Sequence, residues 1–370
     1  MKFISIVFIL FLNYINCFSQ STIEFSGQIV DKNHESIISA HLVVEGTSIG
    51  TLSNDDGFFS LKIPKSNCSQ NIRISHVGFK TLVYNPMCKN SSDLTLQLIE
   101  STTQLDSLNI GDISAKQVVR NAIENLERNH EVEAVSYETY IRLAETVGGN
   151  PSTLRELIVD AYHEENSKAD IKIIKARGKG FTKFGKERLK KATMVNVYAL
   201  HSHLLLRYLP DFLEKGKINK YDFQFLNDVE VDGQKYYAIS VDSDRYLKGG
   251  EIWIHPATFA IKYLKKTYQD EYWKKESKIN TIYESYYTES EGKWYLNYGV
   301  KSYDWIVNKE NIKISRKNTY FVVDRKTSKD FTRKEEMGLM VKPFKLFQGK
   351  FDDDFWDDYN YIQLEEKLKK

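Results

Sequence analysis

The chain has 370 residues, 41% hydrophobic and 28% charged, the proportions of a globular protein with room for two domains. Its 52 Lys and Arg meet 50 Asp and Glu, a formal net charge of +2, which excludes a strongly basic polyanion binder, so no nucleic-acid partner is expected. Tyr (23) and Phe (20) are abundant and Pro (6) is scarce, a composition suited to large antiparallel sheets.

The amino end reads as a targeting segment. Lys2 precedes the apolar run 3–12, and Cys17-Phe18-Ser19 places small residues at −3 and −1 of a cut after Ser19. Residues 1–19 are therefore expected to be a signal peptide. The run is too short to span a membrane, and no later stretch is long enough. A lipidated Cys17 is the alternative, but Tyr14-Ile15-Asn16 lacks the aliphatic and small residues such a site prefers.

Residues 20–100 follow as short alternating strands separated by turn residues, the pattern of a small β-sandwich. Asp56-Gly57 predicts a hairpin, because Gly accepts the positive φ of a tight primed turn. Beyond it, Phe59, Leu61 and Ile63 share one face and Ser60 and Lys62 the other. Leu94, Leu96 and Leu98 form the last strand. Gly27, Asp31, Ala40, Val44, Gly46-Thr47, Asp56-Gly57-Phe58 and Val77-Gly78-Phe79 together resemble the carboxypeptidase regulatory-like domain, a transthyretin-like β-sandwich. The resemblance implies a non-catalytic domain of a kind that often precedes the main body of an envelope protein. Two cysteines remain after processing, Cys68 and Cys88, in loops flanking strands 71–76 and 79–84. An even count in an exported protein makes them disulfide candidates. Two free thiols are the alternative. A metal site is disfavoured, because His76 is the nearest imidazole and no Cys-x-x-Cys exists.

Residues 101–112 are polar and read as a linker. A helix then begins at Ser114, with Gln117 three residues on in a capping-box pattern. Ala115, Val118, Val119, Ala122, Ile123 and Leu126 make its apolar stripe. Strands 136–144 and 153–164 pair around Gly148-Gly149-Asn150-Pro151, and 171–176 is a further short strand. Residues 178–191 are basic and Gly-rich and read as an exposed loop, with anionic lipid phosphate as the functional alternative. Residues 195–213 read as mostly helical, ending near Pro210. His201 and His203 would point to different faces of such a helix and could not chelate together. Alternating segments at 235–241, 249–264, 281–287, 293–303 and 313–323 make a meander of long antiparallel strands.

The 250–264 hairpin resembles one in periplasmic lipoprotein-carrier and sorting proteins, a half-barrel closed over a helix, with His255 where that pattern has an acidic residue. Phe355, Trp356, Tyr359 and Asn360 resemble the closing motif of Bacteroidetes-type exported proteins. They are expected to dock the tail, residues 346–370, on the second domain, 113–345. The fold expected is mainly β with an α+β second domain: an N-terminal β-sandwich, then a helix-backed antiparallel sheet of half-barrel form.

The zinc chemistry of carboxypeptidases needs a His-x-x-Glu pair with a distant His, and no such set is marked. No nucleophile elbow or phosphate-binding loop precedes a helix. Asp352-Asp353-Asp354 lacks the spaced oxygens of a calcium loop. No catalytic residue, metal or cofactor is therefore expected. A sheet over a helix leaves a concave face, and Trp253, Tyr263, Tyr286, Trp294 and Tyr298 either line it as a cavity for a lipid or other amphiphile or simply fill the core. The function expected is a non-catalytic cell-envelope binding or carrier protein, periplasmic or associated with the outer membrane or cell surface. An adaptor docking other outer-membrane or surface proteins is the alternative. A hydrolase built through space on His163, His201 or His203 is the lesser one. A deep apolar cavity would favour the carrier and a filled sheet–helix interface the adaptor.

Overall fold

The structure is a computed structural model that describes residues 22–101, 113–132, 134–163, 170–191, 200, 202–243, 248–271, 278–307, 312–327, 356 and 359–369. The segment 1–19 expected to be a signal peptide, nearly all of the linker, His201, Phe355 and the Asp352–Asp354 run lie outside them.

Seven strands form the first body: β1 Thr22–Val30, β2 His41–Val44, β3 Gly50–Leu52, β4 Phe58–Pro64, β5 Ile72–Ser75, β6 Leu82–Tyr84 and β7 Ser91–Gln97. They make two sheets, β4-β1-β7 and β3-β2-β5-β6. Between them lies a core that includes Phe25, Ile29, Leu42, Phe59, Leu61 and Ile74, all fully buried. Burying each such side chain contributes about 1.5–3 kcal/mol. The period-two pattern of β4 holds, with Phe59, Leu61 and Ile63 inward. The Asp56-Gly57 hairpin does not form. Gly57 has the expected positive φ, +78°, but β3 and β4 belong to different sheets, so its turn carries the chain across the sandwich. A side chain there would also meet the Ile29 carbonyl oxygen at 2.7 Å. Cys68 and Cys88 are joined in a disulfide, Cα atoms 4.8 Å apart, tying the turn before β5 to the turn after β6.

The second body opens with α1 Ala115–Glu124 and α2 Leu126–Asn129. Ser114 Oγ accepts from the Gln117 N–H at 3.2 Å, but the Gln117 side chain turns forward to Asn121, so the cap is one-sided. The strands are β8 Val135–Val147, β9 Asn150–His163, β10 Asp170–Gly180, β11 Asp222–Phe225, β12 Val229–Val231, β13 Gln234–Asp242, β14 Lys248–Ile254, β15 Ile261–Glu271, β16 Lys278–Ser290, β17 Lys293–Val307 and β18 Ile312–Thr327. They build an eleven-stranded antiparallel sheet in the order β10-β9-β8-β18-β17-β16-β15-β14-β13-β11, with β12 paired to β13. The end strands β10 and β11 do not pair, so the sheet stays open. The expected meander is present with longer strands.

One face of this sheet carries the helices. Val118, Val119 and Ala122 of α1, with Leu204, Leu205 and Phe212 from the segment after β10, belong to one continuous core with Ile252, Ile254, Leu264 and Leu296. The other face meets the sandwich. There Tyr140, Ile158, Tyr298, Val300 and Phe321 pack with Leu52 of β3 and with Trp356 and Ile362 of the tail. A bulge in β17 opposite Tyr286 and Tyr287 makes the switch. Before it Trp294 and Leu296 belong to the helix-side core; after it Tyr298 and Val300 face the sandwich.

Three expectations change. Residues 178–191 are not a loop: β10 runs to Gly180, and Lys183–Lys191 is a helix, α3. Gly185 permits this, because a Cβ there would lie 2.0 Å from the Ser152 carbonyl oxygen. Leu200 is helical, but 202–208 are turns and bends and Asp211–Leu213 a short 3-10 helix, where helix was expected to continue to near Pro210; 192–199 and 201 lie outside the described residues. The tail docks on both bodies. Trp356 is fully buried, edge-on to Tyr140 at 5.8 Å. Asn360 pairs with the Lys62 backbone through both amide atoms, at 2.6 and 3.1 Å, and Thr51 Oγ1 donates to the Tyr361 carbonyl. A buried ionic cluster holds the tail from the sheet side. Arg142 Nη2 donates to Glu365 at 2.6 Å, Arg177 Nε donates to Glu156 at 2.7 Å, and Tyr140 OH donates to Glu156 at 2.6 Å. The tail closes with α4, Glu366–Lys369.

Candidate functional site

Asp232 occupies the two-residue turn between β12 and β13. Its φ is +56° and that of Gly233 +74°, a type I′ pair that matches the twist of the flanking strands. The turn projects its carboxylate toward the sandwich. Arg73, central in β5, donates to Asp232 Oδ1 at 3.0 Å and to Glu45 Oε1 at 3.3 Å. Thr81 Oγ1 donates to the same Oδ1 and accepts from the Asp232 N–H. Lys262 Nζ stands 3.7 Å from Oδ2. One carboxylate thus joins the two bodies. Burial pushes the Asp232 pKa up, but Lys262 and Arg73 outweigh it and hold the carboxyl below its usual range. Burial pushes Lys262 down, against the pull of Asp232. His41 of β2 is pushed down to about 4, first by burial and further by Lys262, and it stays neutral at physiological pH.

Beside this cluster runs a row of rings. Trp253 and Tyr263 have centroids 4.3 Å apart, Tyr263 and Tyr286 4.7 Å, and Tyr286 and Tyr298 4.2 Å at an interplanar angle of 17°. His41 lies 5.8 Å from Tyr298. Each such pair is worth about 0.5–1.5 kcal/mol beyond its buried area. The polar tips are satisfied: Trp253 Nε1 donates to Glu251 at 2.6 Å, and Tyr263 OH donates to Glu284 at 2.8 Å. Above the row is a cleft of about 540 Å³ between the sandwich and the sheet.

Of the five rings expected to line a cavity, Trp253, Tyr286 and Tyr298 line this cleft. Tyr263 lies within the row without lining it, and Trp294 shares its face with Leu296 in the helix-side core. The row is on the face opposite the helices. Alternation requires this, because Ile252 and Ile254 face the helices and Trp253 between them must point away. The charged groups of the cleft were not foreseen. Arg73 and Asp232 are 159 residues apart, and nothing local in the sequence marks them as partners.

The remaining candidates for catalysis sit in closed surroundings. His203 Nδ1 is 2.8 Å from Ser285 Oγ, and both residues are fully buried among the described residues. Lys266 is 1% exposed, and burial, then Lys301, pushes it down to about 7. Its Nζ donates to the Ser202 carbonyl and lies over the rings of Tyr208 and Tyr283. His130 and Glu133 do stand at His-x-x-Glu spacing. His130 is buried and its Nε2 accepts from the Ile261 N–H; Glu133 lies outside the described residues. The space beside His130 and His163 is about 20 Å³, roughly one water. Gly46-Thr47-Ser48-Ile49-Gly50 spells Gly-x-Ser-x-Gly, but it joins β2 to β3, strand to strand, where a nucleophile elbow leads into a helix. Among the described residues no group of three or more His, Cys, Asp and Glu is placed to hold a metal, and no helix is long and apolar enough to cross a membrane.

The β1–β7 sandwich lies almost wholly within a match to a known family. Residues 25–110 match the family model of the CarboxypepD_reg-like domain. The match leaves the eleven-stranded sheet outside it. A solved structure titled "Lipid-protein interactions in lipovitellin" is similar at 10% identity and TM-score 0.27, covering 56% of this chain and 27% of that one, a likeness too slight to carry an argument. No curated protein matches the sequence.

Proposed function

We propose that the protein is an exported, non-catalytic binding protein of the cell envelope that holds its ligand in the cleft between the sandwich and the eleven-stranded sheet. The observation that carries this reading is the cleft itself. About 540 Å³ of space combines an aromatic floor, Trp253, Tyr286 and Tyr298, with the charged groups Arg73, Asp232 and Lys262. Its volume falls within the range of ligand pockets, about 300–1,000 Å³. An amphiphile fits this chemistry, with its apolar part on the rings and its polar part at the charged cluster. Export agrees with the Cys68–Cys88 disulfide, since such bonds persist in oxidising compartments. The site differs from a half-barrel carrier, in which the concavity under the helix would hold the ligand.

The adaptor reading keeps one observation in its favour, the filled helix side of the sheet. Against it stands the tail, which ties the sandwich into a shared core and does not leave it free to present its faces. Native mass spectrometry of the full exported protein separates the two. A retained small-molecule adduct, lost on Tyr298→Ala, supports the binding protein. A bare protein mass, together with retention of an envelope protein on affinity purification, supports the adaptor.

A further inference from the structure

Three charged groups of the cleft, Arg73, Asp232 and Lys262, are already paired with one another; Glu289, Asp324 and Arg325 line it too, and Arg325 Nη2 donates to Ser290 Oγ. Arg73 is held by Glu45 and Asp232, and Lys262 stands against Asp232. An anionic headgroup at this cluster would compete with Asp232 for Arg73 and leave that partly buried carboxylate with Lys262 and Thr81 alone, which is unfavourable. A purely apolar ligand would strip water from the same charges and return nothing. A hydroxyl escapes both penalties. It accepts from a guanidinium or ammonium and donates to a carboxylate in the same act, and it adds no charge. His41 supplies a further group of this kind. It lines the cleft, and among the described residues its ring nitrogens make no hydrogen bond, so a neutral imidazole can both donate and accept there. Tyr286 and Tyr298 stack on one another along the sheet and line the cleft with their ring edges, an apolar surface against which C–H groups can rest.

We infer that the cleft recognises a neutral polyhydroxylated ligand, a sugar ring, whose hydroxyls bridge the Arg73–Asp232–Lys262 cluster and His41 while its C–H groups rest against the edges of Tyr286 and Tyr298. This inference rests on the binding reading above and names the ligand chemistry of that same cleft. A free saccharide and the sugar head of a glycolipid share that chemistry.

The test uses the full exported protein and two probes. One is an array of neutral, lipid-free saccharides, with hits measured by calorimetry. The other is phosphatidylcholine vesicles with and without a neutral glycolipid. Binding to free saccharide, or to vesicles only when the glycolipid is present, supports the inference and tells the two sources apart. Asp232→Asn and Lys262→Gln should each weaken binding at least about tenfold, the worth of one hydrogen bond to a charged group. The affinity should change less than about twofold between about 50 and about 500 mM salt, because screening acts on charged ligands. Should a variant fail to fold, the unaltered protein still decides: bound saccharide must slow amide exchange in the Asp232-Gly233 turn. No binding to either probe overturns the inference. So does binding that both variants leave intact, or a tenfold fall with salt. A retained acyl or anionic adduct that these variants release would end the sugar assignment and leave the binding reading standing. A protein that carries no adduct and binds neither probe ends both.

Discussion

On the helix side of the eleven-stranded sheet, Ile252, Ile254, Leu264 and Leu296 meet α1 and the 200–213 segment in a continuous apolar core. On the sandwich side, the intervening residues of the same strands, Trp253, Tyr263 and Tyr286, carry ring contacts, polar tips and a cleft. The difference comes from what covers each face. A helix lays a continuous apolar stripe on the sheet and fills it. A second sheet of independent twist touches along one side, at Leu52, Phe321 and Trp356, and leaves a gap on the other. The helix side should therefore answer to mutation through stability, and the cleft through binding.

The largest effect is expected where the tail locks the two bodies together. Glu156→Ala leaves Arg142 and Arg177 buried with one carboxylate fewer and should cost about 3–5 kcal/mol in denaturant unfolding. Trp356→Ala should cost a similar amount through its cavity, about 3–5 kcal/mol. A loss below about 1 kcal/mol in both would mean that the tail is not part of the core. On the helix side, Leu264→Ala should cost about 2–5 kcal/mol and leave ligand retention unchanged once the protein is folded. Next comes the disulfide. Cys68→Ser with Cys88→Ser, or reduction, should cost about 3 kcal/mol because the denatured chain regains the freedom the cross-link removed, and mass mapping that finds both thiols free in non-reduced protein would end that claim.

How much of this was legible in the sequence differs between the two faces for a physical reason. The helix, the sandwich and the meander follow from local spacing, at 3.6 or 2 residues, that survives in any context. The stripe Ala115, Val118, Val119, Ala122 is buried as expected. The identity of the aromatic residues was also legible, but not the face they occupy. Trp253 and Ile252 are both large and apolar, and alternation separates them without saying which one meets the helix. The Arg73–Asp232 and Arg142–Glu365 pairs depend on elements 159 and 223 residues apart, and charge alone assigns no partner. Residues 178–191 misled because their Lys and Gly content outweighed a helix that Gly185 makes possible by its close approach to Ser152.

The smallest effect compares the two faces through pH. His41 on the sandwich side is pushed down to about 4, and His130 on the helix side to about 3, in both cases first by burial. Because the folded pKa lies below the usual 6.5, the unfolded chain takes up these protons first. Stability is then fully present above about 6.5 and falls as pH drops through 4. Acid unfolding of His41→Gln should show a shallower slope between those values than the parent. An unchanged slope would mean that His41 is already charged in the folded protein.

The central claim is that the ligand sits on the sandwich side of the sheet. Native mass spectrometry of the protein and two folded variants tests it most directly. The account predicts a small-molecule adduct on the parent, its loss in Tyr298→Ala, and its retention in Val119→Ala. An adduct that survives Tyr298→Ala and disappears with Val119→Ala would place the ligand under the helix and contradict it.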